Sequence, residues 1–243
     1  MNKKARQQLN HTARGLALAT LDRVLSTGAY SNLQLDNALR HSNFKDADKR
    51  LATNLVYGTL QHKMTLQYWL APFITGKKID HWVETLLLMT IYEYQYLDRV
   101  PNWAATDTAI ELAKQVGNPG IRRFVTGVLH AILRQGLRQT SLIKDQLRRL
   151  SIEASLPKWL LKEFQKQYGW QGTCQIAQAV NEPAHVSLRV NHQQLTVTEA
   201  SQRLAEEGVQ TRLSEVAANA LVVTKGSVIN SPLLKNGLIT IQD

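Results

Sequence analysis

From residue 5 to about residue 136 the apolar side chains recur every three to four positions, and no alternating run is long enough to compete with that period. A stretch so patterned folds as packed amphipathic helices. Leu9, Ala13, Leu16, Ala17, Leu21 and Val24 share one face of a first helix, which Thr27-Gly28 stops. Ser31 caps a second helix carrying Leu33, Leu35, Ala38 and Leu39. Asp46 or Asp48 opens a long third run through Leu55, Leu60 and Leu66 to Leu70, ended by Pro72 and Gly76. Asp80 begins a fourth, and Pro101 introduces a fifth that ends at Gly117-Asn118-Pro119-Gly120. Residues 121–133 make a sixth, closed by Gly136. The expectation is a bundle of six or seven helices with short links.

Beyond this bundle the period changes. Residues 141–150, 157–168 and 171–180 remain helical, whereas residues 184–190 alternate with a β-branched bias. Residues 196–207 read as a helix closed by Gly208, followed by strand-like pieces at 209–213, 221–224 and 238–241. The fold class expected is mainly α: a helical domain at 1–140, a helical linker at 141–180 and a small α+β subdomain at 181–243.

Charge narrows the choice of partner. The 243 residues carry a net charge of +10, and residues 1–140 hold 18 basic and 10 acidic groups against 11 and 9 in the rest. A basic helical half points to a polyanion such as RNA or DNA. The longest apolar run, Leu86-Leu87-Leu88-Met89, falls far short of the ~20 residues that a membrane crossing needs. Met1-Asn2-Lys3-Lys4 leads into no signal-like stretch, so the chain reads as soluble and cytoplasmic, with no membrane partner. One cysteine, Cys174, excludes an internal disulfide and fits a reducing compartment. Without a neighbouring histidine or cationic cluster, it reads as a packed, inert thiol.

Catalytic and cofactor patterns are missing from the sequence. No two glycines stand one residue apart, so no Gly-x-Gly cradle can be drawn, and no Walker loop is present. The seven histidines form no pair at metal-ligand spacing, and no metal is expected. Asp46 and Asp48 read as capping residues at a helix start.

Cations suited to phosphate remain. Lys3, Lys4, Arg6 and Arg14 give the first helix a basic edge, and Arg122-Arg123 opens the sixth helix, where cations oppose the helix dipole unless an anion is bound. Lys158, Lys162 and Lys166 recur every four residues opposite Trp159, Leu160 and Phe164, a stripe read as facing water. Trp69, Tyr92, Tyr94, Tyr96 and Trp103 are able to stack on bases, but at helical spacing among leucines they read as core.

Three segments carry a resemblance: Asp48-Lys49-Arg50-Leu51 through Tyr57-Gly58-Thr59-Leu60, then Tyr96-Leu97-Asp98-Arg99-Val100-Pro101, then Phe124-Val125-Thr126-Gly127-Val128-Leu129-His130. They resemble the helical RNA-binding domain of the NusB antitermination family, with Thr126 and His130 standing where its pattern has asparagine and arginine. Ser155-Leu156-Pro157-Lys158-Trp159-Leu160, Ser187-Leu188-Arg189-Val190-Asn191 and the final Gln242-Asp243 are similar to the linker and small subdomain of bacterial ribosomal RNA cytosine-C5 methyltransferases of the RsmB (Sun/Fmu) type. The resemblance implies a NusB-like bundle followed by an RRM-like subdomain, with 16S ribosomal RNA as partner. It adds Arg50 and Arg189 to the candidate RNA contacts Lys3, Lys4, Arg6, Arg14, Arg122 and Arg123.

The family's reaction uses S-adenosylmethionine, a glycine-rich donor loop, an acid-Pro-Cys motif and a second cysteine, none of which stands in these residues. The chain is therefore expected to have no catalytic residue and no cofactor, and to be inactive by itself. It reads as the RNA-recognition portion of a methyltransferase whose catalytic domain lies outside it. A free-standing NusB-type factor regulating transcription is the alternative. A module that binds only proteins, through apolar grooves of the bundle, is a third reading.

Overall fold

The computed structural model describes residues 8–98, 100–182 and 184–242. Lys3, Lys4 and Arg6 lie outside the described residues. The chain divides into two compact units, one up to Asn181 and one from Glu182.

The first unit is built of helices α1 (Ala13–Thr27), α2 (Ser31–Arg40), α3 (Asp46–Gln61), α4 (Lys63–Ile74), α5 (His81–Tyr96), α6 (Asn102–Val116), α7 (Pro119–Gln135), α8 (Gln146–Glu153) and α9 (Lys158–Ala179). Their core gathers Leu16, Leu18, Leu21, Leu55, Val56, Leu66, Leu70, Leu86, Leu87, Ile91, Leu112, Val125 and Leu129. α5 is buried almost all round, from Trp82 to Glu93, which makes it the central helix of the bundle. Gly58 on α3 lets that helix close on α5. A Cβ there would lie 2.0 Å from Cζ of Tyr92.

The structure redraws three boundaries, one through a local cap and two through tertiary contacts. The first run does not pass smoothly through Leu9. Thr12 is extended, and its hydroxyl accepts from the Gly15 N–H at 3.0 Å, so α1 starts only at Ala13. The long third run breaks at His62, whose backbone (φ −96°, ψ 15°) leaves the helical region. The His62 ring stacks on Tyr96 at 4.1 Å, while the Met64 N–H donates to Ser155 Oγ and the Thr65 hydroxyl donates to the Ile152 carbonyl. These bonds hold the start of α4 against the chain around α8.

The third correction concerns Pro72, which does not end its helix, since α4 continues to Ile74. Proline deprives the Tyr68 carbonyl of its helical donor. Arg138 Nε supplies one at 2.7 Å while its guanidinium lies 3.5 Å over the Tyr68 ring, and the helix survives. Nor are all the aromatics core: Trp103 is 69% exposed and Tyr96 opens to solvent, whereas Tyr92 is buried and the Tyr94 hydroxyl bonds Thr106 Oγ1.

After α7 the chain makes a short 3-10 turn (Thr140–Leu142) before α8, which Asp145 caps by accepting from the Arg148 N–H. α9 is two helical segments joined at Gly169, whose φ of 67° suits a residue without Cβ. Leu161, Ala177 and Ala154 form a small satellite core beneath it.

The second unit runs β1 (Ser187–Val190), α10 (Val197–Glu206), β2 (Gln210–Leu213), β3 (Ala220–Lys225), α11 (Pro232–Lys235) and β4 (Ile239–Gln242). The sheet is antiparallel throughout, in the order β2-β3-β1-β4. Leu188 faces Leu221 and Ile241 across its neighbours and belongs to a core with Ala200 and Leu204 of α10. Alternation then puts Arg189, paired with Ala220 and Thr240, on the other face. The Thr196–Glu199 capping box fixes the start of α10. A mainly helical bundle is thus followed by a small α+β unit, the fold class expected.

Candidate nucleic-acid interface

The structure separates the candidate cations. Arg14, in the first turn of α1, donates from Nε to Oε2 of Glu93 at 2.8 Å, and the Glu93 side chain is only 1% exposed. Burial pushes the Glu93 carboxyl above the ordinary glutamate value, and the charge and hydrogen bond of Arg14 pull it back. Arg14 therefore holds a buried carboxylate in place. Arg50 is exposed on α3, away from any ion pair among the described residues. Arg189 is exposed on β1 and lines a hollow with Asn191, His192 and Thr240. No phenylalanine, tyrosine or tryptophan occurs after Trp170, so the one ring lining this hollow is the His192 imidazole.

Arg122 and Arg123 are brought together with cations that sequence reasoning missed. Asn118 caps α7 by accepting from the Ile121 N–H at 3.0 Å, and Pro119 follows at the first helical position. Around this helix start lie three adjoining hollows of about 530, 450 and 270 Å³: the first shares Asn118 with the second and Arg123 and Gly127 with the third, and the last two share Lys77 and Phe124. Lys114 from α6, Lys77 and Lys78 from the α4–α5 turn, and both arginines line them. Lys77 Nζ sits 5.1 Å above the Phe124 ring, and Lys114 pairs with Glu111 in solvent. Asp80 is the one acid lining these hollows. Among the described residues Arg122, Arg123, Lys77 and Lys78 make no ion pair.

Four cations without an ion pair among the described residues, beside a helix N-terminus whose dipole adds positive potential, make a surface for a polyanion. The sequence signal for the missed pair is the dibasic Gly76-Lys77-Lys78. Its distance from Arg123 along the chain hid the hollow that Lys77 and Arg123 share.

S-adenosylmethionine does not fit the residues described. Its sulfonium is cationic, and the hollows around the start of α7 are lined by lysine and arginine. The small sheet is wholly antiparallel and lacks the glycine-rich turn between parallel strands that cradles such a donor. Among the described residues no cluster of histidine, cysteine and acidic groups could hold a metal, and no helix is long and apolar enough to cross a membrane.

Known proteins share this organisation. The NusB family model matches residues 11–134, and the model of the ferredoxin-like domain of RsmF/B-like methyltransferases matches residues 156–230. A probable ribosomal RNA small subunit methyltransferase B of Bacillus subtilis (strain 168) is 37% identical over 233 residues, 96% of this chain and 52% of that protein. Its counterpart in Synechocystis (strain PCC 6803) is 27% identical over 237 residues, 96% of this chain and 53% of that protein. The crystal structure of PH0851 shares the fold, with a TM-score of 0.63 at 18% identity, over 100% of this chain and 53% of that one. The chain spans about half the length of the curated relatives it matches. With its helical unit matched over more than half of its residues, the chain belongs to the NusB family, its NusB domain followed by a methyltransferase-type ferredoxin-like domain.

Proposed function

We propose that this chain is the RNA-recognition portion of a cytoplasmic, S-adenosylmethionine-dependent 16S ribosomal RNA (cytosine-C5) methyltransferase, and that it transfers no methyl group by itself. The observation that carries the reading is the cluster of Lys77, Lys78, Arg122 and Arg123 around the start of α7, uncompensated among the described residues. The relatives' names supply the substrate class, and their match across 96% of the chain, beyond the NusB segment, favours this reading over a free-standing NusB factor.

In this reading the bundle supplies phosphate contacts from the α7 surface and from Arg50, while Arg189 adds one from the sheet of the second unit. Lys3, Lys4 and Arg6 stay candidate contacts, and residues 141–180 join the two recognition elements. Arg14 is left out of the contact set, because its guanidinium serves Glu93.

The test is RNA affinity against salt. Wild-type chain should lose affinity steeply with rising salt. The double substitution Arg122→Glu, Arg123→Glu should weaken binding and flatten the salt slope by about 1.4, the loss of two phosphate contacts to a single strand. Salt-independent binding, or a variant that binds like wild type, would remove the basis of the proposal. Methyl transfer to ribosomal RNA by this chain alone would overturn the assignment of catalysis elsewhere.

A further inference from the structure

Helix α9 carries a feature that neither the NusB fold nor the α7 surface uses. Trp159, its second residue, is 66% exposed, although Leu161 two positions on is completely buried. At 100° per residue, Trp159, Lys162 and Lys166 fall within about 60° of one another, on the side opposite Leu161 and Phe164. The tryptophan therefore stands among the lysines and not across the helix from them, contrary to the sequence expectation.

The charges beside it are unevenly matched. Lys158 Nζ contacts Asp145 Oδ2 at 3.1 Å, and Lys166 Nζ contacts Glu163 Oε1 at 2.7 Å. Lys162 makes no ion pair among the described residues, and neither do Lys144 and Arg148, which flank Asp145 at the start of α8. Asp145 is itself engaged by the Arg148 N–H and by Lys158. An outward indole results, with the free Lys162 on its own face and the free Lys144 and Arg148 at the start of α8, which Lys158 ties to the start of α9 through Asp145.

We infer that Trp159, with Lys162, Lys144 and Arg148, forms a binding site for an unpaired ribonucleotide, the indole stacking on the base and the cations meeting its phosphates. The chemistry favours this occupant over a protein. An apolar partner groove would need apolar neighbours on the same face, and those neighbours are Lys162, Glu163 and Lys166. A flat π-system carrying negative charge satisfies both halves of the site. The inference rests on the RNA-binding reading given above and adds a preference for single-stranded over duplex RNA.

The test is fluorescence anisotropy of the full chain with a short labelled oligouridine and with an RNA duplex of matched length, for wild type, Trp159→Ala, Trp159→Phe and Lys162→Gln. Trp159→Ala should weaken oligouridine binding about tenfold, within the range for loss of one base stack, and leave duplex binding unchanged. Trp159→Phe should retain most of the affinity, and Lys162→Gln should flatten the salt dependence by about 0.7. Because Trp159 is exposed, both tryptophan variants should melt like wild type.

If Trp159→Ala binds oligouridine within about twofold of wild type, while Arg122→Glu, Arg123→Glu abolishes binding, the site is refuted and the RNA reading stands. Equal weakening of oligouridine and duplex refutes the stacking role. A protein partner lost on Trp159→Ala, with RNA affinity unchanged, assigns the face to protein and also refutes it. Failure of wild type to bind either RNA at low salt overturns site and reading together.

Discussion

Arg14→Gln should destabilise the protein far more than an ordinary arginine substitution near an N-terminus. The Glu93 side chain is 1% exposed and that of Arg14 20% exposed, so the pair is substantially removed from water. Taking one partner from such a pair leaves a buried charge with nothing to offset its desolvation, at a cost of about 3–5 kcal/mol. For a chain of this size that corresponds to a melting point lower by about 10 °C.

The sign of the pH dependence follows from the direction of the Glu93 shift. Its carboxyl is raised in the folded state, chiefly by burial, and is lowered in part by Arg14. A raised acid favours the fold in its protonated form, so this contribution is fully present below the unfolded value of about 4.3 and is lost as pH rises through the folded value. Without Arg14 the folded value climbs further, and the loss extends to higher pH.

Melting of wild type, Arg14→Gln, Glu93→Gln and the double variant should therefore show a deficit for Arg14→Gln that deepens from mildly acidic to alkaline pH. The double variant should recover much of the stability and lose that dependence. RNA affinity of folded Arg14→Gln should stay within about twofold of wild type. A deficit below about 1 kcal/mol at every pH would place the pair among ordinary surface ion pairs and refute the reasoning. Stability retained with RNA affinity lost would make Arg14 a nucleic-acid contact instead.

Gly58→Ala should cost about 1–3 kcal/mol in chemical denaturation, since its Cβ would enter the Tyr92 ring; an unchanged midpoint would mean that α3 and α5 are farther apart than described. Arg138→Ala should cost about 1–3 kcal/mol by orphaning the Tyr68 carbonyl above Pro72, and Arg138→Ala with Pro72→Ala should regain part of it by restoring the helical donor. Burial lowers the His62 value, so its neutral form favours the fold, and the stability it contributes above about 6.5 is lost as pH falls through the folded value. His62→Phe keeps a ring against Tyr96 and should flatten that acid limb in thermal melts; an unchanged limb would exclude His62 as its source. Thr196→Ala should cost the second unit about 1 kcal/mol by removing the cap of α10, read by hydrogen exchange of α10 amides.

Local chemistry wrote most of the element plan into the sequence. Helical spacing of leucines located the bundle, Gly117-Asn118-Pro119-Gly120 marked the break between α6 and α7, and Gly208 marked the end of α10. The alternation Ser187-Leu188-Arg189-Val190 chose the faces of β1. Each of these depends on residues within a turn or two of one another, and the motif strings that resembled NusB and its methyltransferase relatives are contiguous as well.

Contacts between distant segments decided the rest. His62 breaks a continuous helical pattern because Tyr96 and the chain around Ser155 claim that corner. Pro72 stays inside a helix because Arg138, 66 positions later, serves the carbonyl that it orphans. Arg14, cationic and near the terminus, reads as a phosphate contact until the fold sets a buried glutamate against it, whereas Lys77 meets Arg123 around one hollow only when α4, α5 and α7 are packed. Local propensity is fixed by neighbours in the chain, but which charges remain free for a partner is settled by which others the core forces together.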